Sequence, residues 1–332
     1  MFWRKYLIAA VPLVVGVILA ACGGGSSPPA TSAPAPTQTT AAAWRFDCAQ
    51  TPTSTAADAG AFPVQVKDDA GRQVTVAAPP KAIVSLSAGH TEMLYAIGAG
   101  DQMKADDAFS DCPTAAAGLP HIDAFSPSVE SIVGLEPDLV IVFYDPGGLV
   151  DALQSAGIAA VVLEAPSSID GVFQQMQLLG TVTGHEREAA EVVASMRAAL
   201  AAIETKVAAV DKGPRVFHEL DNTYYTAGPG SFVGDLYGVL KAHNVADSTG
   251  EPFPQMTAEA IIAADPEVIV LADEDAGESP ATVATRPGWS GISAVKSGRV
   301  HTIDPNIVSR PGPRLVEALE ALGKILYPDL FK

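Results

Sequence analysis

The chain has 332 residues, 48% of them hydrophobic and 17% charged, which is ample material for one or two folded domains and excludes wholesale disorder. Against 38 Asp and Glu stand only 20 Lys and Arg, a formal net charge of −18. The basic footprint that displaces counterions from DNA or RNA is missing, as is the one that adsorbs to anionic lipid.

In chain order, residues 1–21 read as an export signal. Arg4 and Lys5 precede an apolar run from Leu7 to Ala21 that is short for a membrane span and contains Pro12. The run ends in Leu19-Ala20-Ala21-Cys22 followed by glycines, the form of a lipobox. Cys22 is therefore expected to carry a lipid anchor, with the protein on the outer face of the cytoplasmic membrane or in the periplasm. The plainer alternative is an uncleaved anchor with an incidental cysteine. Residues 22–61 are rich in Gly, Ser, Pro, Thr and Ala around a small island at Trp44–Cys48, and read as a disordered tether. With Cys22 lipidated, Cys48 and Cys112 remain in an oxidising compartment, where the pair either forms a disulfide or stays as two thiols.

Order is expected from Phe62. Val64–Lys67 and Gln73–Val76 flank an Asp69-Ala70-Gly71 turn, a hairpin signal. Short apolar runs then alternate with helical stretches. Ala82–Leu86 precedes a helix at Thr91–Ile97, Leu139–Phe143 follows one starting near Val129, and Ala160–Leu163 follows one through Leu153. Continuous apolar strands alternating with helices predict an α/β fold with parallel sheets covered on both faces. The longest helical stretch, His185–Val210, holds no Gly or Pro and is bracketed by Gly184 and Gly213-Pro214. Strand-like runs resume at Arg215–His218, Val268–Leu271 and Val300–Ile303. The prediction is a lobe over residues 62–183, a connecting helix over 184–212 and a second lobe over 213–332. An internal echo relates the lobes: ESIVGLEPDLVIVF from Glu130 and EAIIAADPEVIVLA from Glu259 are both helix–turn–strand units, each preceded by an N-cap hydroxyl, Ser128 or Thr257.

Catalytic signatures are missing: there is no GxxxxGK[ST], GxSxG or HExxH, and Gly228–Gly234 has the wrong spacing for a dinucleotide loop. The six histidines are scattered, and Asp68-Asp69 and Asp106-Asp107 read as solvated turns. No metal site and no cofactor are expected from these residues. The informative residues are aromatic. Phe109, Phe125, Phe143, Tyr144, Tyr224, Tyr225 and Phe253 fall in loops that leave the C-terminal ends of predicted strands, the edge at which open α/β sheets bind ligands. Such rings suit a bulky, largely planar ligand; the alternative is that they are lobe core, nearly an even choice for Phe143. Arg310, in a loop before the last helix, either clamps an anionic group or pairs with an acidic neighbour. Glu130 and Glu259 each sit in a helix's first turn, where the macrodipole favours an anion. That explains one Glu better than two at matched positions.

VKDDAGRQVTVAAPPKAIVSLSAGHTEMLYAIGAG, LEPDLVIVF, the single long helix and SRPGPRL together resemble the substrate-binding proteins of importers for cobalamin, ferric siderophores and haem, over about Phe62 to Leu330. HTEML, FSDCP at Phe109–Pro113 and EPFPQMT at Glu251–Thr257 lean towards the cobalamin-binding branch. The resemblance implies two Rossmann-like lobes with mainly parallel sheets, bridged by a rigid helix, with a shallow cleft and little closure. It implies cleft residues at Phe109, Phe125, Phe143 and Phe253, and docking of Glu130 and Glu259 onto an ABC permease dimer that works with its ATPase. It implies a monomer that captures a metal chelate, cobalamin foremost, without catalysis. Phe253 stands where a tryptophan is common, and Tyr144, Tyr225 and Arg310 suit haem or a ferric siderophore instead. Two readings of another class stay open: an extracytoplasmic enzyme on a chelatase-like scaffold, and a cell-wall interaction module without a small ligand.

Overall fold

The computed structural model describes residues 44–332; the export signal over 1–21, Cys22 and the first part of the tether lie outside the described residues. In chain order the first lobe comprises β1 (Val64–Lys67), β2 (Gln73–Val76), β3 (Ile83–Leu86), α1 (Ala88–Ala96), β4 (Met103–Asp107), β5 (His121–Ile122), α2 (Val129–Val133), β6 (Leu139–Val142), α3 (Leu149–Ser155) and β7 (Ala159–Val162). Then come α4 (Ile169–Thr183) and α5 (Glu186–Lys206). The second lobe comprises β8 (Arg215–Glu219), α6 (Phe232–Val239), β9 (His243–Asn244), α7 (Ala258–Ala264), β10 (Val268–Leu271), α8 (Pro280–Ala284), α9 (Ser293–Ser297), β11 (Val300–Thr302), α10 (Pro305–Val308) and α11 (Leu315–Leu326). The hairpin β1–β2 pairs antiparallel with Val64 opposite Val76. Both larger sheets are parallel, in the orders β5-β4-β3-β6-β7 and β11-β10-β8-β9.

Why the strands read as continuous apolar runs is visible in the packing. Ile83, Leu139, Ile141 and Val161 enter a central hydrophobic cluster, while Val84, Leu86, Val140 and Val142 enter an outer one. In the second lobe Val216, Val268 and Val270 enter the same central cluster, and Phe217, Ile269 and Leu271 an outer one. A strand buried on both faces has no polar side to alternate with. The central cluster also takes Phe173 of α4, Met196 of α5 and Leu319 of α11, so the lobes share one core. Separating them would expose that core to water, which opposes wide hinge motion.

The internal echo extends to hydrogen bonds. Just past α2 and α7 stand residues with positive φ, Glu136 at 51° and Asp265 at 47°, each followed by Pro. Asp138 and Glu267 come next. The Asp138 carboxylate accepts from the amides of Lys81 and Ala82, and the Glu267 carboxylate accepts from the amide of Arg215. The acid after each proline thus ties the start of one strand to the start of its neighbour, β6 to β3 and β10 to β8.

Two expectations are corrected. The connecting helix begins at Glu186 rather than 184 and ends at Lys206. Gly184 instead terminates α4 in the left-handed conformation, φ 81°, where a Cβ would lie 3.0 Å from that of Ala57. The tether does not extend to residue 61, because residues 44–61 pack on the body. The Trp44 indole donates to the Pro313 carbonyl at 2.8 Å, the Phe46 amide donates to Glu317 of α11 at 2.9 Å, and the Phe46 ring is buried. Farther on, the Thr55 amide donates to the Gly98 carbonyl and Asp58 to that of Gly184. Between these anchors Cys48 and Cys112 are joined in a disulfide, and the Thr114 amide donates to the Cys48 carbonyl at 2.8 Å. The segment is a strap from α11 of the second lobe to a loop of the first. Low-complexity composition hid it, since two aromatic anchors and one cross-link suffice to hold so short a stretch.

Because that cross-link closes a loop across a sequence separation of 64, replacing both cysteines by serine should cost about 2–4 kcal/mol of stability. Urea denaturation of the oxidised protein and the double variant measures it, and equal midpoints would show that the strap holds without the bond.

Candidate functional site

Since both large sheets are parallel, the loops that leave their strands gather at the C-terminal edges. Phe109 follows β4, Phe125 follows β5, and Phe143 and Tyr144 follow β6. The structure brings these four rings together. Phe125 is the hub, with ring centroids 6.0 Å from Phe109, 5.9 Å from Phe143 and 6.4 Å from Tyr144, the first two in edge-to-face contact. Phe143 and Tyr144 meet at 4.5 Å. Phe109 and Phe125 are 58% and 61% exposed, a large apolar area left to water. Phe143 is half-buried and also packs on the outer core, so both readings of it hold in part. The Tyr144 hydroxyl donates to the Phe125 carbonyl at 3.0 Å, which fixes the hub rather than leaving the oxygen free. On the second lobe, Phe253 and Tyr225 are 59% and 42% exposed. Their segments run side by side: Tyr225 bridges to Gln255, and the amides of Thr226 and Gly228 donate to the carbonyls of Pro254 and Pro252. Tyr224 is corrected. It turns away, packs 5.6 Å from the Trp289 ring, and belongs to the outer core.

Arg310 is also corrected. Its guanidinium is not a free clamp but donates to Glu92 at 2.9 Å, Asp111 at 2.7 Å, Asn306 at 2.7 Å and the Phe109 carbonyl at 3.2 Å. Arg314 donates to both carboxylate oxygens of the same Glu92, at 2.9 and 2.6 Å. Glu92 lies on α1 of the first lobe and is fully buried; both arginines come from the loop before α11 of the second. Burial pushes its carboxyl up, against the pull of the two guanidiniums. The triad staples the lobes and holds the Phe109 loop. That loop is fixed from beneath as well. The Ser110 hydroxyl bonds Asp107 at 2.5 Å and Thr91 at 3.0 Å, and Cys112 is tied to the strap. Glu92 lay inside HTEML, but nothing local distinguishes a helical Glu that faces two arginines some 220 residues away. The Asp106-Asp107 pair belongs to β4 and is buried, not solvated, and Asp68 is buried against Arg72.

At the same edge of the second lobe, Glu219 is buried and bidentate with Arg286, at 2.6 and 2.5 Å. Neighbouring Asp273 is 6% exposed, and its carboxyl meets no N–H or hydroxyl donor but lies against the Glu219 carboxylate, to which it can donate when protonated. Burial, with the Glu219 and Glu278 carboxylates beside it, raises Asp273 from 3.8 to about 7. Between those values the folded chain holds a proton that the unfolded chain has released, so its contribution to stability is present at about pH 4 and is lost as pH rises to about 7. Asp273→Asn should therefore stabilise the protein at pH 8 by roughly 2–4 kcal/mol and leave it unchanged at pH 4. Denaturation at the two pH values checks this, and an equal effect at both would remove the buried acid.

Glu130 and Glu259 are exposed in the first turns of α2 and α7, whose caps Ser128 and Thr257 accept from the amides of Ser131 and Ala260. Among the described residues neither forms an ion pair, although the Ser128 hydroxyl donates to Glu130 at 3.2 Å. Each follows a cleft-edge ring closely, Glu130 after Phe125 and Glu259 after Phe253. Among the described residues no three His, Cys, Asp or Glu side chains gather as a metal site, and no helix is long and apolar enough to cross a membrane. A polar groove of about 640 Å³, lined in part by Gln73, Lys81 and Gln154, lies elsewhere on the first lobe, away from the rings.

A family model described as periplasmic binding protein matches residues 83–307. An uncharacterised ABC transporter substrate-binding lipoprotein of Bacillus subtilis is 35% identical over 280 residues, 82% of this chain and 88% of that protein. A cobalamin-binding protein of Halobacterium salinarum is 31% identical over 279 residues, 80% of this chain and 74% of its own length. The structure of a possible iron-binding periplasmic solute-binding protein from Staphylococcus epidermidis superposes with a TM-score of 0.68 at 28% identity, over 75% of this chain and 99% of that one. Two related α/β lobes on a shared core, rings exposed at their sheet edges and these similarities lead to one conclusion: the chain belongs to the periplasmic binding protein family.

Proposed function

We propose that this protein is the substrate-binding component of an ABC importer, that it is exported and held by a lipid on Cys22, and that it captures cobalamin between its two aromatic edges. The exposed, mutually buttressed rings of Phe109, Phe125, Phe143 and Tyr144 carry this reading. They offer an apolar, edge-to-face ring cluster prepared before the ligand arrives, and Tyr225 and Phe253 would supply the opposite wall. The similarity to a cobalamin-binding protein and to an importer lipoprotein supports the ligand and the partner. Glu130 and Glu259, one per lobe and on the ligand side, would engage basic residues of the two permease halves. Binding without turnover accounts for the rings, and the buried acids Glu92, Asp107 and Glu219 are occupied in holding arginines or loops.

Calorimetric titration of the protein with cobalamin, haem and a ferric siderophore in parallel tests the reading. The expected result is tight one-to-one binding of cobalamin. Phe125→Ala should weaken it about 10–100-fold, since the hub ring supports three others. Silence from all three ligands would remove the chelate and return the enzyme alternative. The similarity to a possible iron-binding protein makes a ferric chelate the second reading.

A further inference from the structure

We infer that the cleft selects its chelate by charge, admitting neutral or cationic ligands and rejecting anionic ones. The inference rests on the reading of the aromatic edges as the ligand site. Four of their rings stand within two residues of a carboxylate: Phe109 with Asp111, Phe125 with Asp123, Tyr144 with Asp145 and Phe253 with Glu251. All four acids are exposed. No lysine occurs in the loops that carry the rings, residues 108–114, 123–128, 143–148, 220–230 and 250–257, and neither does an arginine.

Among the described residues, the guanidinium that bonds a ring-bearing loop is that of Arg310, and it is spent. Its side chain is 12% exposed, and it bonds Glu92, Asp111, Asn306 and the Phe109 carbonyl. Arg286, on the second lobe, is likewise enclosed by Glu219 and Glu278. A ligand bearing carboxylates or catecholates would meet rings that accept it and a rim where Asp123, Asp145 and Glu251 repel it, Asp111 being neutralised by Arg310, and among the described residues no unpaired Lys or Arg of these loops offers a partner. The low-dielectric walls of an aromatic site strengthen that repulsion over its value in bulk water. A planar chelate whose metal and macrocycle charges cancel loses nothing to the rim. A cationic one is steered in.

The test is titration of the protein with neutral cyanocobalamin and with a trianionic ferric tris-catecholate, each at low and at high salt. Cyanocobalamin should bind with an affinity that salt leaves within about twofold. The catecholate should bind at least about 100-fold more weakly, and its affinity should rise as salt screens the rim. Glu251→Lys, on a side chain that makes no hydrogen bond among the described residues, should tighten the catecholate several-fold, a larger factor than any change it brings to cyanocobalamin. Catecholate binding that matches cyanocobalamin, or that weakens with added salt, overturns the charge selection and leaves the importer reading standing. No binding of either ligand overturns both.

Discussion

Glu92→Ala is expected to destabilise the protein by about 3–5 kcal/mol, because it strips the shared partner from two enclosed guanidiniums at once. Arg314 is 8% exposed and would keep only the Asn306 carbonyl, and Arg310, at 12%, would keep Asp111, Asn306 and the Phe109 carbonyl. Arg314 is the more enclosed of the two, and freeing its charge to bulk water would part the lobes and expose the shared core. Glu92→Gln keeps one acceptor and should cost less. Replacing Glu92, Arg310 and Arg314 together by apolar residues of similar volume should recover most of the loss, since such triads stabilise little against a packed alternative. Urea midpoints for the three variants decide this. A Glu92→Ala midpoint close to wild type would show that the staple contributes only specificity. The same variant should loosen the Phe109 loop, so its ligand affinity should fall even where folding is complete.

The Glu130→Ala, Glu259→Ala double variant is expected to abolish uptake while ligand affinity stays within about twofold. Each exposed carboxylate contributes only ~0.3–1 kcal/mol to its own helix, so folding survives. At a desolvated contact with a permease, each truncation costs 2 kcal/mol or more, because the basic partner is left unpaired. The two act on different halves, so either single change should reduce uptake and only the pair should eliminate it. Cells carrying the double variant as their sole copy report uptake of labelled cobalamin, and calorimetry on the purified variant reports affinity. Uptake that persists with both glutamates gone would falsify the docking role.

Much of this protein follows from local sequence. Strands buried on both faces announce themselves as apolar runs, and β6, β8 and β10 lie where those runs do. Helices announce themselves by caps, as α2 and α7 do, or by freedom from Gly and Pro, as α5 does. Parallel strands send their loops to one edge, so the placement of Phe109, Phe125, Phe143 and Phe253 followed once the strands were placed. The short strands β5 and β9, two residues each, carry too little pattern to read.

What only the tertiary structure decided are pairings across long separations. Arg310 looked like a ligand clamp because its partners, Glu92 and Asp111, sit some 200 residues away. Tyr224, at positive φ, and Tyr225 are adjacent and alike, yet one packs against Trp289 and the other faces solvent. The strap at residues 44–61 looked like tether because its order comes from Pro313, Glu317 and Cys112 rather than from its own composition. Periodicity and capping are properties of neighbours in the chain, and a sequence displays them. A buried charge or a packed loop takes its energy from whatever the fold brings against it, and that is settled only when the lobes close on their common core.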